Sequence, residues 1–171
     1  MVVRRPGPRE RQVPGPGQES VWDYPRPPRL ERAGVRIEIV LGGVPIVATD
    51  GALRVLETSH PPTYYLPEAD FVPGSLRRAA GSSFCEWKGQ AAYYDVVGGD
   101  GRVAERAAWT YPSPTPPYEA LAGHVAVYAG PMDRCTVDGE VVRPQPGGFY
   151  GGWVTTTVVG PFKGEPGTRF W

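Results

Sequence analysis

The sequence predicts a mainly β domain with one core, folded as a curved antiparallel sheet or an open barrel of short strands, with few short helices. Three observations lead there. Among 171 residues, 23 glycines and 21 prolines punctuate the chain, yet 40% of the residues are hydrophobic, with five Trp and nine Tyr, too much apolar surface for a disordered segment. No segment carries an apolar period of 3.6 residues over three turns. The stretch "VRIEIVLGGVPIVATD" sets two β-branched runs on either side of Gly42-Gly43, the pattern of a tight hairpin.

The elements follow in order. Residues 1–20, rich in Pro, Gly, Arg and Gln and without periodicity, read as a disordered arm outside the fold. Residues 21–146 read as the β domain. It opens with "VWDYPRPPRLE", an extended stretch that Trp22 and Tyr24 should pin to the surface. The Gly42-Gly43 hairpin comes next. "ALRVLETSHPPTYYLPEADF" gives a strand, a loop bent by Pro61-Pro62 and a second short strand at Tyr64–Leu66, while "PGSLRRAA" allows at most a turn or two of helix. "SSFCEWKGQAAYYDVVGGDGRVAERAAWTYP" reads as three strands, divided near Gly89 and at "GGDG". A helical turn at "PPYEALAGH", a strand at "HVAVYAG" and a small hairpin turning at Asp138-Gly139 complete the domain. Residues 147–171 carry Phe149, Tyr150, Trp153, Phe162 and Trp171 among glycines, and exposed aromatic surface of that size promotes aggregation. This segment is expected to dock, on the domain's own cleft or sheet edge before a partner subunit.

Composition narrows the function. Eighteen basic residues balance eighteen acidic ones, so the electrostatic footprint of a nucleic-acid or anionic-membrane binder is missing, and no apolar run approaches a membrane span. The expectation is a cytoplasmic protein that binds neither nucleic acid nor membrane. Cys85 and Cys135 lack CxxC spacing and read as reduced thiols, and no metal or cofactor is expected. GxGxxG, GxxxxGK[ST], HExxH and GxSxG patterns are absent, and Cys85 with His60 is the single candidate nucleophile and base pair.

Several clusters could carry chemistry. Read as one strand, "FCEWKG" places Glu86 and Lys88 on one face, either solvated at an edge or holding a lysine tuned by a carboxylate. Tyr93 and Tyr94 follow one turn away. "RVLETSHPPTYYLP" gathers Glu57, His60, Tyr64 and Tyr65 at a proline-fixed bend, a workable acid/base set, though His60 can equally cap a loop and the tyrosines can equally pack. Trp109 and Tyr111, two residues apart, fit either a core pair or the lining of a pocket for a flat organic ligand. In the docking tail, Tyr150, Trp153 and Lys163 are candidates for completing such a site.

In order and spacing, "VLETSHPPTYYLPEAD", "FCEWKGQAAYYDV" and "AAWTYPSPTPPYEALAGHVAVYAG" resemble the domain of unknown function 427 family, a bacterial and fungal group of small β domains. The resemblance covers roughly residues 21–145 and implies a fold similar to the Mss4-like, or β-tent, group. That group's zinc-binding members use paired Cys-x-x-Cys motifs absent here. Nucleotidyltransferase chemistry, also associated with the family, needs Gly-Ser followed by Asp-x-Asp; Asp95 after Gly81-Ser82 has no such partner. The family pattern falls on Glu57, Tyr64, Tyr65, Lys88, Tyr93, Trp109 and Tyr111.

The expected function is thus an aromatic-lined cleft centred on Lys88 and Glu57 that binds a small organic molecule. If it is catalytic, Lys88 serves as acid or anion holder, Glu57 as its partner or base, and Tyr65 or Tyr93 as hydrogen-bond donor. His60, Glu86, Tyr64, Trp109, Tyr111, Tyr150 and Trp153 would contact the ligand. The alternative is a non-catalytic peptide or metabolite binding module that self-associates as a homodimer.

Overall fold

A computed structural model describes residues 5–7 and 10–171. Among the described residues fifteen strands form in chain order: β1 (Glu19–Ser20), β2 (Arg29–Arg32), β3 (Ile37–Leu41), β4 (Val44–Thr49), β5 (Leu53–Leu56), β6 (Thr63–Pro67), β7 (Leu76–Cys85) and β8 (Gly89–Val97). They continue with β9 (Val103–Thr110), β10 (His124–Val127), β11 (Arg134–Val137), β12 (Glu140–Val141), β13 (Arg143–Pro144), β14 (Trp153–Val154) and β15 (Val158–Val159). Short 3-10 turns at Val21–Asp23, Glu68–Asp70 and Pro116–Leu121 are the only helical elements among the described residues.

The main sheet runs β2-β5-β6-β10-β9-β8-β7 and a second runs β12-β11-β3-β4, every pairing antiparallel. The main sheet ends in free edges, so it is an open curved sheet and not a closed barrel. The larger core lies between the two sheets, where Ile37, Ile39 and Leu41 meet Tyr64, Leu66, Val96, Val125 and Val127. Alternation along each strand sends the intervening side chains to the opposite face, where Tyr65, Trp109, Tyr111 and Ala126 build a second cluster.

The β3–β4 hairpin turns at Gly42-Gly43 with φ of +63° and +78°, the double left-handed geometry that a two-residue turn matching strand twist demands. A side chain at Gly42 would also meet Asp100 at 2.3 Å. Two expectations are corrected. "PGSLRRAA" makes no helix: Leu76, Arg77 and Arg78 already pair with Val96, Asp95 and Tyr94 in β7. At that sheet edge, with little burial to impose alternation, the apolar pattern that marks a strand is missing. "FCEWKG" is not one strand either. Cys85 pairs with Gly89, so Glu86, Trp87 and Lys88 form the β7–β8 turn and strand alternation does not govern them.

The N-terminal arm includes residues 1–4, 8 and 9, which lie outside the described residues. Of the rest, the Gln12 N–H donates to the Gly160 carbonyl at 3.0 Å, the Gln18 amide donates to the Thr156 carbonyl at 2.8 Å, and β1 runs parallel to β15. Val21, Trp22 and Tyr24 form a third cluster with Leu56 and Val158, joining both ends of the chain to the domain. Among the described residues no helix is long and apolar enough to cross a membrane.

Candidate functional site

Each Tyr-Tyr pair is split by the pleat of its strand. Tyr64 on β6 and Tyr94 on β8 enter the core between the sheets, while Tyr65 and Tyr93 turn to the other face. Tyr128, following β10 in the same phase as Ala126, joins them. There the Tyr65 ring lies 6.4 Å from Trp109 and 6.3 Å from Tyr111, and Trp109 lies 4.7 Å from Tyr128. These rings floor a cavity of about 390 Å³. Its walls come from the turn after β5, the β7–β8 turn and the C-terminal segment, so three stretches remote in sequence close on one space.

The turn after β5 supplies a carboxylate. The His60 N–H donates to the Glu57 carbonyl at 3.0 Å, with Ser59 between them at φ 74°, and this tight turn sets the imidazole beside the carboxylate. His60 Nε2 lies 3.4 Å from Glu57 Oε2, and Arg26 Nη2 lies 3.1 Å from the same oxygen. Burial pushes the Glu57 carboxyl up, but the hydrogen bond and charge of His60, then Arg26 and Lys88, outweigh it and bring its pKa from 4.5 down to about 2. A carboxyl depressed in the folded state contributes stability that is present above its unfolded value and lost as pH falls through the folded one. Between pH 4.5 and 2 the protein should therefore lose on the order of 3 kcal/mol at this residue. Denaturant unfolding across that range checks it, and Glu57→Gln should flatten this limb of the profile.

Gln145 sets the orientation of His60. Its Oε1 accepts from the Gly152 N–H at 3.0 Å and its Nε2 donates to the Lys163 carbonyl at 2.9 Å, so two backbone groups leave the buried amide one way round. Nε2 then also faces His60 Nδ1 at 3.0 Å as a donor. In the neutral ring Nδ1 must therefore accept, and Nε2–H is the nitrogen that faces Glu57. With both nitrogens engaged, His60 positions Glu57 and is not aimed into the cavity as a base. The candidate Cys85 and His60 pair is accordingly not joined: Cys85 lines the same cavity, but both His60 nitrogens face other partners.

The β7–β8 turn supplies the cation. The Lys88 carbonyl accepts from the Thr115 N–H at 3.1 Å, and the Thr115 hydroxyl donates to the Trp87 carbonyl, so the turn is tied to the segment after β9. The half-buried Lys88 ammonium lies 5.6 Å from the centre of the Tyr111 ring and makes no ion pair or side-chain hydrogen bond among the described residues. Burial works against its charge. Tyr65, then Cys85, Glu57 and Tyr118, outweigh burial and hold its pKa above the ordinary value. Phenols and thiols carry charge only in the alkaline range, so at neutral pH Glu57 is the one of these four that offsets the cost of burying the ammonium.

The C-terminal segment closes the wall. Tyr150 meets His60 edge-on at 4.8 Å, and Lys163 Nζ stands 5.4 Å from the centre of the Tyr150 ring while donating to the Trp171 carbonyl. Gly151 lies against Trp109, where an added Cβ would come within 2.0 Å of Cη2. Gly151→Ala should therefore lift the segment off the ring, at a cost of about 1–3 kcal/mol. Guanidinium unfolding reads this as a lower midpoint, and an unchanged midpoint would show that the segment does not depend on the contact.

The structure thus brings together Glu57, His60, Tyr65, Lys88, Tyr93, Trp109, Tyr111, Tyr150 and Lys163. Three candidates fall elsewhere. Glu86 is exposed in its turn, while Tyr64 and Trp153 stack at 5.3 Å in the main core. Arg26, Tyr128 and Gln145 belong to the site without having been singled out. Period-two alternation from Ala126 could have found Tyr128; nothing local marks Gln145, whose partners are 85, 7 and 18 residues away. Among the described residues no three His, Cys, Asp or Glu side chains gather where they could hold a metal ion.

The family model described as Domain of unknown function (DUF427) matches residues 29–138. No curated protein matches the chain. The matched segment carries the floor of the cavity with Glu57, His60 and Lys88, and it stops short of Gln145, Tyr150 and Lys163.

Proposed function

The chain belongs to the DUF427 family, and we propose that it is a small-molecule-binding domain whose ligand sits in the aromatic cavity against Lys88. The observation that carries this reading is the Lys88 ammonium, half-buried among aromatic rings without an ion pair or side-chain hydrogen bond among the described residues. Burying a charge without a hydrogen-bonding partner is costly, and a protein keeps such a group where a ligand completes it. Glu57 favours binding over acid/base turnover. Arg26 and His60 already engage its Oε2, and a carboxylate with a pKa of about 2 is a weak proton acceptor. Proton donation to a bound molecule falls to Lys88, with the Tyr93 hydroxyl, held 2.7 Å from the Ser83 hydroxyl, as a further polar contact.

A thermal-shift screen of a metabolite library tests this. At matched concentration, compounds that raise the melting temperature of the wild type should raise it much less with Lys88→Met and should lose part of their effect with Glu57→Gln, which loosens the wall. Shifts that persist undiminished in Lys88→Met would place binding elsewhere and end the proposal.

A further inference from the structure

The charge and shape of the cavity define a class of ligand, an inference that rests on the binding reading above. Among the described residues Glu57 is the one carboxylate on the wall, and Arg26 and His60 both contact its Oε2. Lys88 has no such partner among the described residues, and the second wall lysine, Lys163, stands over the Tyr150 ring on the C-terminal segment. A cationic ligand would meet two ammonium groups and one carboxylate that is already paired. A neutral ligand would leave the Lys88 ammonium without an anion in hydrogen-bond contact. The remaining surface is aromatic: the Tyr65 ring stands edge-on to Trp109 at 6.4 Å and is tilted by 45° against Tyr111 at 6.3 Å, so an aromatic ligand would meet both ring edges and ring faces. At about 390 Å³ the space is at the small end of ligand pockets, which favours one or two fused rings over an extended chain.

We propose that the cavity selects a planar aromatic carboxylate, its carboxylate on Lys88 and its ring on the floor formed by Tyr65, Trp109 and Tyr111. Binding of 2-naphthoate and of 2-naphthamide, matched in shape and different in charge, should be measured calorimetrically on the full chain. Wild type should bind the carboxylate roughly tenfold or more tighter than the amide, the scale of a charge-assisted hydrogen bond. Lys88→Met should erase that preference, and Lys88→Gln serves as a second variant should the first fail to fold. Equal binding of acid and amide in the wild type would overturn the anion class and leave the cleft standing as a neutral-ligand site. If neither compound binds while library hits depend on Lys88, the carboxylate class again fails and the cleft survives. If nothing in the library binds either, both readings fall together.

Discussion

Trp153→Ala is expected to cost about 3–5 kcal/mol, the range for truncating a buried large aromatic side chain and a large share of the stability of an ordinary domain. Trp153 is 1% exposed, stacks on Tyr64 at 5.3 Å and donates its indole N–H to the Val127 carbonyl at 3.0 Å. Truncation opens a cavity in the core between the sheets and also takes a donor from a buried carbonyl. Its backbone N–H donates to the Pro62 carbonyl at 2.9 Å, holding the segment beside the turn that carries Glu57 and His60. Denaturant unfolding should show a lower midpoint with an unchanged slope. A loss below about 1 kcal/mol would mean that Trp153 is not part of the core, and with it the claim that the C-terminal segment is built into the domain would fail.

Lys88→Met carries the second large effect, and its two readouts should move apart. Ligand binding should drop by a factor on the order of 10 to 100, because the charge-assisted contact disappears while the aromatic floor remains. The free protein should lose no more than about 1 kcal/mol, the attraction to Glu57 being given up along with the cost of desolvating the ammonium. The ammonium has no ion-pair partner among the described residues, and methionine fills a similar volume without a charge to desolvate. A variant destabilised by more than about 2 kcal/mol would instead mark Lys88 as a structural residue.

How much of this was legible in the sequence depended on whether the deciding interaction was local. The hairpin at Gly42-Gly43 was legible because the turn itself demands left-handed backbone at both positions. The Pro61-Pro62 bend and the Glu57 to His60 spacing were legible because a four-residue turn brings those side chains together. β7 was not, because an exposed edge strand lacks the alternation that burial imposes. Glu86 was misplaced for a related reason: the pairing of Cys85 with Gly89, which makes a turn of the three residues between them, depends on the register of β8 against β7. Alternation predicts that one tyrosine of each pair faces the cavity. Which one requires knowing the face on which the second sheet lies. Gln145 and Arg26 act across long sequence separations, through contacts that exist only once the fold is complete.

The most direct test of the cavity as a ligand site is an indole N–H NMR titration with the hits of the metabolite screen. Trp109 lies on the cavity floor, whereas Trp22 and Trp153 are held in two separate cores with their indole N–H groups on the Pro161 and Val127 carbonyls. The Trp109 resonance should shift saturably with added ligand while those of Trp22 and Trp153 stay in place, and Lys88→Met should move saturation to roughly 10- to 100-fold higher ligand concentration. A ligand that moves Trp22 or Trp153 and leaves Trp109 unchanged would contradict the assignment of the site.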